Sequence, residues 1–204
     1  MSKIDFSDIN VPELIADMWE PLTEEQREYL SEHFTIQNFK KNEVVHFEGE
    51  TPTHLMCLLT GKVKIYKDGV GGRSQIIRMM KPVEYFDYRA YFSEQAYVTA
   101  AAAFEPSVIC LIPMTVITKL IRQNNDLAMF FIKQLSNDLG MSDTRTVNLT
   151  QKHIRGRLAE SLLFLKESYG IEEDGSTLSI YLSREDLANL SNMTTSNAIR
   201  TLSQ

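Results

Sequence analysis

A change in the spacing of apolar residues near residue 114 constrains the fold more than any other feature of the sequence. Before it, short apolar runs alternate with turn signals, as is typical of all-β domains. After it, apolar residues recur every three or four positions, which is the period of an amphipathic helix. The sequence therefore predicts an α+β chain that begins with an antiparallel β-barrel of the jelly-roll type. The clearest runs are 44–47, 55–59, 63–66, 76–80, 97–104 and 108–112.

Helices are predicted on both sides of this barrel. Residues 11–34 are expected to form short helices, with Thr23 as an N-cap three residues before Gln26. A first apolar stripe after the barrel could join the core or pair with a second copy of the chain, and its position between two domains favours the dimer seam. Its members are Leu127, Phe131, Leu135 and Leu139. A second stripe follows polar residues 150–153, which we interpret as a hinge. Its members are Ile154, Leu158, Leu162 and Leu165.

The composition excludes several classes of protein. The chain has 204 residues, 43% of them hydrophobic and 24% charged, as in ordinary soluble proteins. No apolar run approaches the roughly 20 residues of a membrane span. Residues 1–10 lack the pattern of a signal peptide, so the expected location is the cytoplasm. The net charge of −6 argues against coating nucleic acid by charge alone, although residues 141–157 are locally basic.

The cysteines and histidines do not form a metal-binding pattern. Cys57 and Cys110 lie inside apolar stretches, which predicts buried free thiols, and two cysteines cannot complete a four-thiolate site. The histidines are scattered, without the paired spacing and nearby carboxylate of a cupin-like metal oxygenase. They are His33, His46, His54 and His153. No nucleophile elbow or phosphate-binding glycine loop is present either, so an enzyme is not expected.

The C-terminal part of the sequence has the pattern of a helix-turn-helix. The alternation of apolar residues predicts a strand over 177–182. Ser183 is then a candidate N-cap with Asp186 at the third helical position, and this helix is broken at 191–193. A second helix begins after Thr194. Two short helices joined by three or four residues are typical of a DNA-reading helix-turn-helix.

The second of these helices has an apolar side at Ala198 and Leu202 and a polar side that suits DNA. Hydroxyls at its N-terminus can hold phosphates or base edges. An arginine can fork onto guanine, and an isoleucine can touch a thymine methyl group. The predicted DNA-binding residues are Thr194, Thr195, Ser196, Ile199 and Arg200. The alternative interpretation is a plain helical hairpin whose polar face meets water.

From about residue 20 to the end, the order and spacing of several segments resemble the Crp-Fnr family of bacterial transcription regulators. The resemblance rests on barrel turns, on the start of a long helix, and on two segments of the C-terminal region. These are Gly49, Gly61, Ile112-Pro113, Ile154-Arg155-Gly156-Arg157-Leu158-Ala159 and Leu182-Ser183-Arg184-Glu185-Asp186-Leu187-Ala188. The resemblance implies a cyclic-nucleotide-binding-type barrel over residues 1–114, a dimerising helix over 115–151 and a winged helix-turn-helix over 152–204.

The same resemblance implies what the chain binds. The expected function is a homodimeric, sequence-specific regulator that binds double-stranded DNA under the control of a small molecule, with RNA polymerase as a candidate partner. The family's base-reading positions align to Thr195, Ser196 and Arg200, and only the arginine is retained in type, so the operator is expected to differ. Because the sequence stops at Gln204, where family members continue into a wing, we expect a truncated chain.

The effector site implied by the resemblance departs from the family pattern. Asp87-Tyr88 stand where a Gly-Glu pair holds the ribose of cAMP, and Tyr97-Val98 stand where an Arg-Ser pair holds its phosphate. Ser142-Asp143 align with hydroxyl residues that meet the adenine. Loss of the arginine removes the main partner of a buried anion, and Asp87 would repel one, so tight cAMP binding is not expected. The expected pocket comprises Glu84, Asp87, Tyr88, Arg89, Tyr97, Val98, Thr99, Ser142 and Asp143.

Further expectations concern cofactors. No cysteine precedes Cys57, which argues against the iron–sulfur cluster of oxygen-sensing relatives. The scattered histidines disfavour haem, so no cofactor is expected. Arg89 is expected to form a salt bridge within the barrel rather than to hold an anion. The alternative function is a ligand-binding barrel, for haem or another small molecule, without DNA-binding activity.

Overall fold

The computed structural model describes residues 10–69 and 74–203, and the expectations for residues 1–9 and for Gln204 lie outside this part of the chain. The first helices are α1 (Val11–Leu14), α2 (Ala16–Trp19) and α3 (Glu24–Ser31). The strands are β1 (Thr35–Phe39), β2 (Val44–His46), β3 (His54–Thr60), β4 (Val63–Asp68), β5 (Ser74–Met80), β6 (Tyr85–Phe86), β7 (Ala100–Ala103) and β8 (Ser107–Pro113). The remaining helices are α4 (Tyr88–Phe92), α5 (Met114–Gln123), α6 (Asn125–Gln151), α7 (Ile154–Tyr169), α8 (Arg184–Leu190) and α9 (Thr195–Leu202).

The strands form two antiparallel sheets, with the orders β1-β8-β3-β6 and β2-β7-β4-β5. Strands distant in the chain are neighbours in each sheet, as in a jelly roll, so the predicted α+β class and jelly-roll architecture are confirmed. The barrel is open, however, because no ladder joins the two sheets among the described strands. The edge strands β2 and β6 have only three and two residues, and a bulge interrupts the pairing of β2, which leaves little backbone to close the barrel.

The two sides of β3 face different apolar layers. Leu58 is fully buried between the sheets together with Val63. Cys57, on the opposite side of the strand, packs with Leu127 of α6 in the layer between the first sheet and the helices. This alternation is that of a strand buried on both faces. Cys57 stands opposite Cys110 of β8, and both are buried free thiols, as predicted. Burial raises the pKa of Cys110 to about 12 and also raises that of Cys57.

The helix predicted over 115–151 is divided into α5 and α6, and the prediction of one continuous helix is therefore wrong. Asn124 between them has an extended backbone, and its Oδ1 accepts the N–H groups of Asp126 (3.0 Å) and Leu127 (3.1 Å). This side chain caps α6 and breaks the helix locally. The stripe on α6 also changes character along the helix. Leu127 and Phe131 are buried in the core of this chain, so the prediction that this stripe as a whole is the dimer seam is wrong, whereas 64% of Leu139 is exposed.

A break separates α6 from α7 within the predicted segment 150–153, but only Lys152 and His153 lie outside the helices, because α6 includes residues 150 and 151. Lys152 has an extended backbone (φ −94°, ψ 137°), and α7 begins two residues later. The second stripe lies on the buried side of α7, where Leu158 and Leu165 are almost inaccessible. At the N-terminal end, the predicted cap of α3 is also confirmed, because Thr23 and Gln26 bond reciprocally to each other's backbone N–H.

The strand predicted over 177–182 is wrong. A single bridge between Ile171 and Leu178 is the only strand-like pairing that the described residues make there. The turn before it is held by Asp174, whose carboxylate accepts the backbone N–H groups of Ser176 and Thr177, both at 2.8 Å. A β-strand is hydrogen-bonded to a neighbouring strand along its length, whereas only Leu178 of this segment has such a partner. Its apolar alternation instead reflects packing of alternate side chains into the domain.

Candidate DNA-reading helix and effector pocket

The helix-turn-helix is formed by α8 and α9, each with a local cap. Ser183 Oγ accepts the N–H of Asp186 at 3.0 Å and starts α8. Thr194 Oγ1 accepts the N–H of Asn197 at 3.2 Å and starts α9. Between them, Asn192 adopts a left-handed backbone (φ 51°), which asparagine tolerates better than most residues. The two helices and both caps agree with the sequence prediction.

The side chains of α9 divide into an anchored side and an open side. Ala198 is fully buried in the domain core. Ser196, Ile199 and Arg200 are exposed, with 47% of Ile199 accessible. Arg200 donates to Asn197 Oδ1 at 2.8 Å, which holds the guanidinium along the helix surface. Leu202, expected to point inward, is 36% exposed and covers the core only partly.

The structure therefore places the predicted DNA-binding residues on one short helix. Thr194 is exposed at the N-terminus, and Thr195 next to it is half-buried. A helix N-terminus presents free N–H groups and a positive dipole end, both of which suit phosphate oxygens. No acidic residue lies in the first turn of α9 to oppose an anion. The arrangement can bring hydroxyl groups, an apolar side chain and an arginine to the edge of a DNA groove.

A second candidate site is a cavity of about 340 Å³ at one end of the jelly roll. Its polar lining includes Gln37, Glu43, His46, Glu50, His54 and Tyr97. Two of these side chains, Glu43 and Glu50, brace turns by accepting the N–H groups of Lys40 (2.7 Å) and Phe47 (3.0 Å). Among the described residues, neither lysine nor arginine lines the cavity. It therefore has no strong cationic partner for a phosphate.

A buried pair of polar side chains, His46 and Asp87, lies beside this cavity. His46 Nε2 lies 2.9 Å from Asp87 Oδ2, and the ring of Tyr97 lies over the His46 ring with their centroids 3.9 Å apart. Burial raises the pKa of Asp87, and the interaction with nearby His46 and the charge of Arg89 oppose this rise. Burial and the nearby carboxylates of Asp87 and Glu50 raise the pKa of Tyr97 as well.

Asp87 reaches His46 through an unusual backbone conformation. It is the residue before α4, and it has a left-handed backbone (φ 72°) without a capping bond from its side chain. Glycine adopts this conformation at little cost, and aspartate is among the few other residues that do so with some frequency. The carboxylate is free to turn inward because it does not cap the helix.

Of the other predicted pocket residues, Tyr88 and Glu84 lie away from this cavity. Tyr88 is buried against Phe131, and its Oη lies 3.5 Å from Asp138 Oδ2 on α6. Glu84 is half-buried and accepts the N–H of Lys81 at 3.0 Å. Burial raises the pKa of Glu84. Neither residue lines the cavity, and Tyr88 belongs to the core between the first sheet and the helices.

The remaining predicted pocket residues are not brought together. Val98 is 43% exposed, Thr99 is half-buried, and Ser142 and Asp143 are exposed on α6. The salt bridge predicted for Arg89 is absent among the described residues. Arg89 lies on the solvent side of α4 because its neighbours Tyr88 and Ala90 occupy the buried side. Its charge still reaches Asp87 through space.

Sequence reasoning missed the role of His46. The residue ends a short apolar run, at a position that points into the jelly roll once the strand is formed. Asp87 stands alone as a carboxylate in the apolar segment 85–92. A histidine and an aspartate at inward positions are the signal of a buried pair, but only the pairing of distant strands brings them together.

Known proteins resemble this chain in sequence. Residues 36–124 match the cyclic nucleotide-binding domain family. An uncharacterized protein of Haemophilus influenzae is 31% identical over 116 residues, which cover 56% of this chain and 87% of that protein. The CRP-like cAMP-activated global transcriptional regulator of Mycobacterium tuberculosis is 23% identical over 154 residues, 75% of this chain and 69% of that protein.

The fold is also that of solved regulators. The structure of the c-di-GMP responsive global regulator CLP of Xanthomonas campestris superposes with a TM-score of 0.77 at 16% identity, over 89% of this chain and 90% of that one. A cyclic nucleotide-binding-type jelly roll followed by a helix-turn-helix defines a class of transcription regulators. The chain belongs to the Crp-Fnr family of that class.

Within the described residues, no helix is both long and apolar enough to span a membrane. The same residues contain no group of three histidine, cysteine, aspartate or glutamate side chains placed to hold a metal ion.

Proposed function

We propose that this protein is a sequence-specific DNA-binding regulator that acts as a homodimer under the control of a small molecule. The observation that carries the proposal is the division of α9, in which Ala198 anchors the helix while Ser196, Ile199 and Arg200 are exposed. On this open face the arginine can fork onto guanine and the isoleucine beside it can touch a thymine methyl group. We place the protein in the cytoplasm, where its DNA would be, and assign it no enzymatic activity.

The homodimer is supported by the outer face of α6. Met129, Ile132 and Leu139 are 47%, 52% and 64% exposed, and they recur at intervals of three and seven residues. This is the repeat of a two-helix seam. A 27-residue helix with such a seam can pair with a second copy and hold two reading helices at a fixed separation. RNA polymerase is a further candidate partner.

The cavity of about 340 Å³ at one end of the jelly roll is the proposed effector site. Its carboxylates and the buried Asp87 disfavour a phosphate group, so the proposed ligand is not cAMP. The regulator of Mycobacterium tuberculosis is described as cAMP-activated and CLP as c-di-GMP responsive, so a different effector is compatible with this fold. We also propose the division into a sensor (1–114), a connecting segment (115–151) and a DNA-binding domain (152–204), which the break at Lys152 supports.

The test is selection of bound DNA from a random pool, followed by affinity measurements on the selected sequence. Arg200→Ala should weaken binding to that sequence by ~1–3 kcal/mol and relax its base preference. Arg122→Ala, which removes an exposed arginine from α5, is the matched control and should bind like the unaltered protein. Failure to enrich any sequence, or equal affinity of both variants, would favour a ligand-binding protein without DNA-binding activity.

A further inference from the structure

One arginine of α6 touches both the sensor sheet and the helix-turn-helix. The guanidinium of Arg145 donates to the carbonyl oxygens of Ile77 and Ile76 on β5, the latter at 2.7 Å. The same group lies 3.4 Å from the carbonyl oxygen of Leu190, the last residue of α8. Three elements that are distant in the chain therefore meet at a single side chain.

The site on β5 is a β-bulge. Arg78 stands opposite Ile65 and Ile76 stands opposite Tyr66, so Ile77 has no partner on β4. A bulge turns successive carbonyl groups out of the ladder, and β5 is the edge strand of its sheet. This explains how neighbouring carbonyl oxygens can both accept from Arg145.

Arg145 is bound by carbonyl oxygens and not by a carboxylate. It is partly buried, and burial together with the charge of Arg78 lowers its pKa. In the described part of the chain no carboxylate pairs with it. A partly desolvated cation is therefore stabilised by the backbone of the two domains that it joins, including the C-terminal end of α8, where a helix favours a positive charge.

The same contact region has an apolar component. Ile76 and Met79 of β5 share one buried cluster with Leu187 and Leu190 of α8. Gln75, also on β5, donates to the carbonyl oxygen of Asn189. The helix-turn-helix is thus docked on the sensor sheet, and the exposed side of α9 stays open in this arrangement.

Asp138 lies two helical turns before Arg145, on the same side of α6. Its Oδ2 lies 2.8 Å from Arg78 Nη1 on β5 and 3.5 Å from Tyr88 Oη on α4. Tyr88 directly follows Asp87, which pairs with His46 beside the cavity. A displacement of α4 would therefore reach the face of α6 that carries Arg145.

We propose that Arg145 is a positioning residue that holds the helix-turn-helix against the bulge of β5, and that Asp138 links this contact to α4 and the effector cavity. The inference rests on the proposed function, because it gives that function a physical connection between its two sites. A two-state contact of this kind can be shifted by a ligand only if the ligand prefers one arrangement.

The experiment measures the distance between the two domains. Spin labels are attached at Thr35→Cys on β1 and Glu173→Cys in the loop after α7, both exposed positions, and the labelled chain is diluted with unlabelled protein. The native Cys57 and Cys110 are fully buried and should not be labelled. The protein should give one narrow distance distribution, and Arg145→Gln should give a broader or displaced one. Arg145→Lys retains the positive charge but not the forked set of N–H donors, so its distance distribution should be intermediate between those of the unaltered protein and Arg145→Gln.

Lys133→Gln is the matched control, because it removes an exposed positive charge from the same helix, and it should leave the distribution unchanged. Asp138→Asn should broaden the distribution as Arg145→Gln does, and the double variant should add little, as expected for coupled residues. An unchanged distribution in Arg145→Gln, even with lower thermal stability, would overturn the positioning role. Additive effects, or no effect of Asp138→Asn, would overturn the link to α4.

The DNA assay is independent of this measurement. If the protein selects no DNA sequence but Arg145→Gln broadens the distance distribution, the proposed function is refuted and the role of Arg145 in the domain contact is supported. If the protein selects DNA but Arg145→Gln leaves the distance distribution unchanged, only the positioning role of Arg145 is refuted. If both proposals hold, Arg145→Gln should change the affinity for the selected DNA by at least about fivefold, because the coupling free energy between two linked sites usually corresponds to a change of that size or more.

Discussion

His46 and Asp87 join the two sheets at the side where the jelly roll is not closed. His46 belongs to β2, an edge strand of one sheet, and Asp87 directly follows β6, an edge strand of the other. Their side chains are 3% and 7% exposed, and Nε2 and Oδ2 are 2.9 Å apart. This close contact between two buried polar side chains thus bridges two edges that lack a backbone ladder between them. It also occupies the region in which the family resemblance would place the sugar of a cyclic nucleotide.

The burial of Asp87 has a pH-dependent consequence. Because burial raises its pKa above the value in an unfolded chain, folding favours the protonated carboxyl group. The associated stability is present at low pH and is lost as the pH rises through the raised pKa. Asp87→Asn, which cannot ionise, should therefore gain stability relative to the unaltered protein as the pH rises above about 4, the pKa of an aspartate in an unfolded chain.

Urea unfolding at several pH values measures this difference directly. Asp17→Asn, at an exposed position of α2, is the control and should show little pH-dependent difference from the unaltered protein. If the advantage of Asp87→Asn instead shrank as the pH rose, the raised pKa of Asp87 would be refuted.

Cyclic AMP should not bind tightly. The cavity lacks a lysine or arginine among its described lining residues, and Asp87 with its neighbouring carboxylates would repel the cyclic phosphate. Calorimetric titration with the nucleotide should show no binding in the micromolar range. A micromolar dissociation constant would mean that a cation reaches the phosphate from another direction, and Arg89→Gln would then identify whether that cation is Arg89.

The exposed seam of α6 predicts the effect of a charge at Leu139. In a dimer this side chain would be buried against the partner, and a buried leucine contributes about 1.5–3 kcal/mol. Leu139→Asp should raise the dimer dissociation constant by at least about tenfold, measured by sedimentation velocity. Asn137→Asp adds the same charge on another face of the helix and should leave association unchanged. Equal association of both variants would argue against this seam.

Gly61 should tolerate no side chain. It has a left-handed backbone (φ 88°), and an added Cβ would lie 2.5 Å from both the Pro106 carbonyl oxygen and Ser107 Oγ. Gly49 has the same φ but nothing within 4 Å of an added Cβ. Gly49→Ala should therefore lower the free energy of unfolding by about 1–3 kcal/mol, the cost of the left-handed backbone alone. Gly61→Ala should lower it clearly more, because the added Cβ also clashes. Chemical unfolding of the two variants measures the difference, and equal losses would contradict the steric contact.

Local features of this protein were predictable because their causes lie within a few residues. The capping bonds of Thr23, Ser183 and Thr194 each join groups three positions apart, so the sequence shows both partners at once. The strand spacing and the helical stripes similarly follow from the periods of the two secondary structures. The break at Asn124 is not predicted, because the family resemblance implies one helix over 115–151. The carbonyl of Pro21 and the side chain of Gln26, which also fix Asn124, are distant in the chain.

The sequence by itself thus determined the order of elements, the buried thiols and the helix-turn-helix, since each rests on local spacing or on hydrophobicity. Only the tertiary structure decided which polar residues meet. It paired His46 with Asp87, placed Val98, Ser142 and Asp143 away from the cavity, and brought Arg145 to the carbonyl groups of two domains. The physical reason is that these contacts depend on the pairing of strands and the packing of helices that are far apart in the chain.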